Sequence, residues 1–251
     1  MTQWVFDLGN TRLKCACLHA DGTLGEVIAL EHGDAGFFAA LDARVPRREA
    51  LGRVSAGLAS VASPALTAAL LDWLTTRFAC ISIARTVPAL AGVRIAYAEP
   101  VKLGVDRFLV LLAARARAPR AWLVVGVGTA LTVDLLDADG LHHGGRIAPS
   151  PRLMREALHR AAVQLPDAGG AYVEFAARTD DALASGCEGA ALGLIERSLH
   201  EAGARLGAAP ALLLHGGGAE ALRPWLPPAA AVAPSLVLEG LACWMRAGIR
   251  D

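Results

Sequence analysis

Apolar and polar positions alternate along the chain in short blocks whose period switches between strand and helix. Residues 3–8 and 12–19 predict two strands around a polar knot, Asp7-Leu8-Gly9-Asn10-Thr11-Arg12. Residues 25–30 follow the turn Asp21-Gly22 and predict a third strand, which makes an antiparallel meander. A helix is expected over 35–44, a short strand ending near Ser55, and an amphipathic helix over 64–78 with Ser63 as cap and Pro64 in the first turn. "CISIA" reads as a further strand. Pro100 and Gly104 then mark a loop before an apolar helix over 107–118, which Pro119 ends.

After Pro119 the pattern restarts. "AWLVVGVGTALTVDLLDADGLHHGGRIAP" reads as strand, Gly-Thr turn, strand, Asp-Gly turn, strand. Placing "DLGNTRLKCACLHADG" beside "GVGTALTVDLLDADG" shows the same order twice, so the chain is expected to contain two related halves, 1–118 and 119–251, with a ligand cleft between them. Ser150 and Pro151 open an amphipathic helix with apolar residues at 153, 154, 157, 158, 161 and 162. A long helix is expected over 180–206. It carries Gly186, Gly189 and Gly193, each costing about 1 kcal/mol against alanine, which implies close packing of another element from this chain or a second copy. "ALLLHGGGAEAL" is a buried strand, a glycine turn and a helix start. The fold class is α/β with mixed sheets.

Composition narrows the possibilities. The 251 residues are 54% hydrophobic and 19% charged, with 24 basic and 24 acidic side chains, so no basic excess points to nucleic acid. Asp7 and Arg12 interrupt the first apolar stretch, no secretory leader is recognisable, and no stretch has the length of a membrane span; a cytoplasmic protein is expected. Five scattered cysteines offer no metal spacing and read as buried reduced thiols. Only Lys14 and Lys102 are lysines, and both fall in segments that matter on other grounds.

Three glycine turns follow strands: Leu8-Gly9-Asn10-Thr11, Val127-Gly128-Thr129 and His215-Gly216-Gly217-Gly218. Glycine lets backbone N–H groups close on an anion, and a hydroxyl or amide adds a donor. A single such turn is ordinary hairpin chemistry, but three in duplicated context point to phosphate. Neither a Walker loop nor a dinucleotide fingerprint is present. Asp7 ends a buried strand and needs a partner, either Arg12, Lys14 and turn N–H groups or Mg²⁺. Asp106-Arg107, at the mouth of the apolar helix, is either a cap or a general base beside an anion-binding arginine. His142 and His143 point to opposite faces of a strand and are read as structural; His215 is assigned a supporting or surface role.

The segments "DLGNTRLK", "YAEPVKLGVDR", "GTALTVD...DGLHHGGRIAP", Leu165-Pro166, "RTDDALASG" and "GGGAEAL" together resemble type III pantothenate kinases, in that family's order and over nearly the whole chain. The resemblance implies two ribonuclease H-like halves with mixed five-stranded sheets and flanking helices, as in actin-like ATPases. It implies ATP held by Asp7, Leu8, Gly9, Asn10, Thr11, Arg12, Leu13, Lys14 and Thr129, with Mg²⁺ near Asp7. Asp106 would be the base that takes the proton of pantothenate's primary hydroxyl, with Tyr97, Gly104, Val105, Arg107 and Thr179 lining the pantothenate site. A homodimer and an activating K⁺ or NH₄⁺ are further implications. The family's cation-binding aspartate, two positions before the second Gly-Thr, is Gly126 here, and only Asp134 follows further along. Ser150 stands for a usual glycine, and Ala162 for a frequent threonine. A nucleotide-binding regulator of transcription with weakened catalysis is the alternative reading.

Overall fold

The computed structural model describes residues 3–33, 35–46 and 54–248. In its first part, β1 (Gln3–Leu8), β2 (Arg12–Leu18) and β3 (Ile28–Glu31) form the expected meander, followed by α1 (Phe37–Arg44). β3 begins later than the pattern suggested because Gly25 is spent on a turn, its N–H donating to the Cys17 carbonyl at 2.8 Å. β4 (Ser55–Ser60), α2 (Pro64–Thr75) and β5 (Cys80–Ile83) complete a sheet of order β3-β2-β1-β4-β5, with β1, β4 and β5 parallel. β4 starts at Ser55 rather than ending there; the expected start of that strand lies outside the described residues. A small hairpin, β6 (Ala89–Leu90) and β7 (Val93–Arg94), precedes α3 (Val105–Arg117).

The second part repeats the plan. β8 (Trp122–Val127), β9 (Ala130–Leu136), β10 (His142–Pro149), β11 (Ala211–His215) and β12 (Ala231–Val232) form a sheet of order β10-β9-β8-β11-β12. Its helices are α4 (Pro151–Ala161), α5 (Thr179–Leu206) and the short α6 (Ala219–Leu222). Two serines cap as their positions implied: Ser63 Oγ accepts from Leu66 N at 3.3 Å and Ser150 Oγ from Leu153 N at 3.2 Å. Among the described residues no helix is long and apolar enough to cross a membrane. All five cysteines are free thiols, but only Cys15 and Cys187 are buried, and Cys80 is exposed at the edge strand β5.

The last helix, α7 (Leu236–Arg246), does not stay with the second half. One compact unit runs up to Ala118 and resumes at Ser235, and the other is Pro119–Pro234. The expected boundary at 118/119 therefore coincides with a unit boundary, but the expected second half, 119–251, loses its final helix to the first unit.

Strand alternation decides what each face of the first sheet carries. Trp4, Phe6, Leu8, Leu13, Cys15, Ala56 and Leu58 enter one apolar cluster with Phe37 and Leu41 of α1 and Leu70 and Leu74 of α2. Val5, Asp7 and Gly57 alternate onto the opposite face, where α3 and α7 lie. Small residues make that contact close. A Cβ on Gly57 would stand 2.4 Å from Met245 Sδ, and one on Gly240 would stand 1.9 Å from the Leu109 carbonyl oxygen. These two glycines bring α7 against both β4 and the backbone of α3, whose residues from Arg107 to Ala114 are all buried. The small side chains of "SAGLAS" thus belong to a central strand beneath a helix.

Because backbone rather than a flexible side chain blocks the space at Gly240, Gly240→Ala is expected to lower stability by about 1–3 kcal/mol. A lower urea midpoint at unchanged slope would show it.

Candidate active site

Asp7 and Lys14 face each other across the first hairpin, since Asp7 pairs with Lys14 between β1 and β2. The turn between them is tight: Leu8 pairs with Leu13, the Gly9 N–H donates to the Arg12 carbonyl at 3.0 Å, and exposed Asn10 and Thr11 form the loop. Leu8 and Leu13 are fully buried in the core, so only their backbone is available to a ligand. The Arg12 guanidinium donates to Glu31 Oε1 at 2.8 and 3.2 Å on the exposed surface. Composition alone did not suggest His32, whose Nε2–H donates to the Gly9 carbonyl at 2.9 Å and braces the turn from β3.

Asp106 reaches the same place from α3. Gly104 precedes this helix, Asp106 lies in its first turn, and Asp106 Oδ1 accepts from the Arg107 N–H at 2.9 Å. A Cβ on Gly104 would lie 2.7 Å from Asp106 Oδ1, so glycine leaves room for the carboxylate. The Thr86 hydroxyl, also without a sequence signal, donates to the Leu103 carbonyl at 2.8 Å and pins the loop that leads into the helix. Arg107 is buried and donates to the Tyr97 hydroxyl at 3.3 Å, with its guanidinium carbon 5.9 Å from the ring centre. Val105 is half-buried beside them.

The two acids feel each other. Burial pushes the Asp7 carboxyl from 3.8 up to about 7; the charge of Asp106 adds to that rise and Lys14 opposes it. Two carboxylates and one lysine leave a local shortage of positive charge, which a divalent cation with its phosphate ligands would relieve. Asp7 fits Mg²⁺ in that sense, because Mg²⁺ takes one or two carboxylates and completes its shell with water and phosphate oxygen.

The second unit has its own glycine turns. Gly128 N–H donates to the Ala130 carbonyl at 2.9 Å, which leaves half-buried Thr129 at the apex of the β8–β9 hairpin. Beside it, Gly218 N–H donates to the Val127 carbonyl at 3.0 Å, and a Cβ on Gly216 would stand 2.5 Å from that same oxygen. The structure thus joins two of the three turns backbone to backbone. Thr179 is the first residue of α5, elsewhere in this unit. His142 and His143 are structural, as expected: Nε2 of His142 lies 3.0 Å from buried Asp134, and Nε2 of His143 lies 2.7 Å from Asp137.

The family model described as type III pantothenate kinase matches residues 4–201. The type III pantothenate kinase of Stenotrophomonas maltophilia strain K279a is 59% identical over 97% of each chain. That of Xanthomonas euvesicatoria pv. vesicatoria is 57% identical over 98% of each. Among solved structures, a candidate 2-dehydro-3-deoxygalactonokinase from Sinorhizobium meliloti aligns over 99% of this chain and 100% of its own, with TM-score 0.62 and 15% identity. A candidate Baf family transcriptional activator from Campylobacter jejuni covers 97% of both chains, with TM-score 0.61 and 17% identity. These two structures show the shared fold.

Asp7 also sets a pH dependence of stability. Its folded pKa lies above the unfolded value of 3.8, so the folded state binds the proton more tightly and stability from this group is full below pH 3.8. That contribution is lost as pH rises toward about 7. Asp7→Asn should therefore match the parent near pH 3.5 and exceed it at pH 8 in chemical denaturation of the ligand-free protein. The expected gain is on the order of 1–3 kcal/mol, the ceiling of about 4 kcal/mol being reduced by residual exposure.

Proposed function

Because this chain belongs to the type III pantothenate kinase family, we propose that it transfers the γ-phosphoryl group of ATP to pantothenate, the first step of coenzyme A biosynthesis. The observation that carries the reading is the convergence of Asp7 and Asp106 on one side of the first sheet, with Lys14 between the strands and Arg107 at Tyr97. Phosphoryl transfer needs such a division of labour, one carboxylate on the cation and phosphates and another on the attacking hydroxyl.

In this reading Asp106 accepts the proton of pantothenate's primary hydroxyl as the oxygen attacks the γ-phosphorus, the bond to ADP breaks, and 4'-phosphopantothenate and ADP leave. Arg107 takes the substrate carboxylate in a guanidinium fork, and Tyr97 orients that guanidinium. The hairpin from Asp7 to Lys14 offers N–H groups and the lysine charge to the phosphates; Thr129 is assigned to ATP on the family resemblance alone. Mg²⁺ held near Asp7 would supply charge neutralisation on the phosphates. Thr179 is assigned to pantothenate on the family resemblance alone. Nothing here favours a regulatory protein, since Asp7, Asp106 and Arg107 are all kept.

We also propose a homodimer. The apolar side of α4 carries no buried residue; with α5 it lines a groove of about 620 Å³ formed by Leu153, Met154, Leu158, Leu183 and Cys187 among others. Gly189 packs on Tyr172, but a Cβ on Gly186 or Gly193 would meet nothing within 4 Å. Among the described residues nothing fills the space beside those two glycines, which leaves room for a second copy, and Phe175 and Val163 stand 97% and 77% exposed. Sedimentation velocity is expected to return the mass of two chains; a single-chain mass at micromolar concentration would reject the dimer.

A coupled assay with Mg-ATP is expected to show ADP formation that depends on pantothenate. Asp106→Asn should lower kcat by on the order of a hundredfold or more while pantothenate still binds in calorimetry. Gly104→Ala, which pushes only on Asp106, should lower kcat by about tenfold or more with little change in KM for ATP. Unchanged kcat in either variant would remove Asp106 from the base role.

A further inference from the structure

Matching the two halves by their strand registers exposes a difference in side-chain chemistry at equivalent positions. In the first unit Asp7 pairs with Lys14 on β2 and with Ala59 on β4. In the second, Gly126 pairs with Thr132 on β9 and with His215 on β11. Each trio precedes a glycine hairpin, and each sits on the sheet face opposite its unit's apolar cluster, since Val125, Val127, Leu131, Val133, Leu212 and Leu214 take the other face. The acid of the first trio is thus a glycine in the second, and the small alanine of the first is a histidine in the second.

The space left by the missing side chain at 126 is filled. A Cβ there would lie 2.6 Å from Thr132 Oγ1 and 2.7 Å from His215 Nε2. The next acid along β9, Asp134, pairs one step further down the sheet, with Val124, and lies 3.0 Å from the buried His142 ring. The side-chain atoms nearest that space are accordingly a hydroxyl and an imidazole, and among the described residues no cluster of three acid, histidine or cysteine side chains could hold a metal. A hard monovalent cation is held by oxygens, and an imidazole nitrogen is a poor ligand for it. The donor set does not fit the K⁺ or NH₄⁺ site that the family resemblance implies.

We propose that His215 is a phosphate-positioning residue of this kinase, standing where a cation-binding carboxylate would otherwise be, and that nucleotide binding and phosphoryl transfer in this chain need no monovalent cation. The inference rests on the kinase reading above. His215 is well placed for the role. It ends β11, and the turn that follows it, Gly216-Gly217-Gly218, is bonded to Val127 at the base of the Thr129 hairpin. An imidazole N–H at that junction supplies a donor to an anion without recruiting a soluble ion, and a fixed donor needs no reorganisation when charge develops.

The test measures both nucleotide affinity and turnover in KCl, NH₄Cl, NaCl and tetramethylammonium chloride at one ionic strength. Affinity is read by calorimetry with Mg-ADP, independently of catalysis. The parent enzyme is expected to vary by less than about twofold in both quantities. His215→Ala should weaken Mg-ADP binding by on the order of tenfold in every salt, with His215→Gln, which keeps an N–H donor, recovering part of it. The double variant Gly126→Asp/His215→Ala, which opens the space and restores a carboxylate, should become K⁺-dependent. A tenfold loss of affinity or kcat in the parent on removing K⁺ and NH₄⁺ would overturn the proposal, as would unchanged Mg-ADP binding in His215→Ala. If salt-insensitive nucleotide binding is found with no pantothenate-dependent turnover in any salt, the kinase reading fails while the cation inference stands.

Discussion

Two carboxylates held close together in a partly buried site resist being charged at once, and much of the first unit is arranged around that cost. Asp7 comes from the end of a central strand and Asp106 from the first turn of a helix on the same side of that sheet. Burial raises the Asp7 pKa toward neutrality, and the charge of Asp106 adds to the rise. The site is left short of positive charge, a shortage that a cation carrying phosphates would relieve. Lys14 offsets part of it, Gly104 leaves room for the Asp106 carboxylate, and Thr86 pins the loop that leads into its helix.

Most of the architecture was legible in the chain. Hairpins announce themselves through glycine and asparagine between alternating apolar runs, and the repeat of the whole pattern after Pro119 disclosed the duplication. The helix that carries Asp106 was equally plain, since its apolar run lies between a glycine and a proline. Strand β4 was not: its residues are small, and smallness there reflects a helix lying on the strand, a tertiary cause that no local pattern reports. The home of the last helix was hidden for a similar reason, because Gly240 has meaning only once Leu109 is seen beneath it.

At the candidate site, the residues proposed to act on a ligand directly were readable, and residues that act through another were not. Asp7, Asp106 and Arg107 stand at element ends where a charged group needs explaining. His32 and Thr86 instead bind backbone carbonyls of Gly9 and Leu103, distant in sequence, and any polar residue on a loop could have done so. His215 lay between the two cases. Its position beside a glycine turn was visible, but its relation to Gly126 requires the parallel pairing of β11 with β8. The same comparison gives the duplicated halves unlike chemistry: an acid and a lysine in one, a hydroxyl and an imidazole in the other.

The return of the last helix to the first unit has a consequence for how the protein is made. A ribosome delivers the chain from its N-terminus, and the second unit, Pro119–Pro234, is one uninterrupted stretch that can close on itself as soon as it has emerged. The first unit begins earlier and finishes later. Until Leu236–Arg246 appears, the sheet face bearing Asp7 and the backbone of the helix bearing Asp106 lack their cover. The surroundings of Asp7 and Asp106 would therefore be the last part of the first unit to be completed, and only nascent chains stopped just after Pro234 would carry a finished second unit while the first still lacked its last helix.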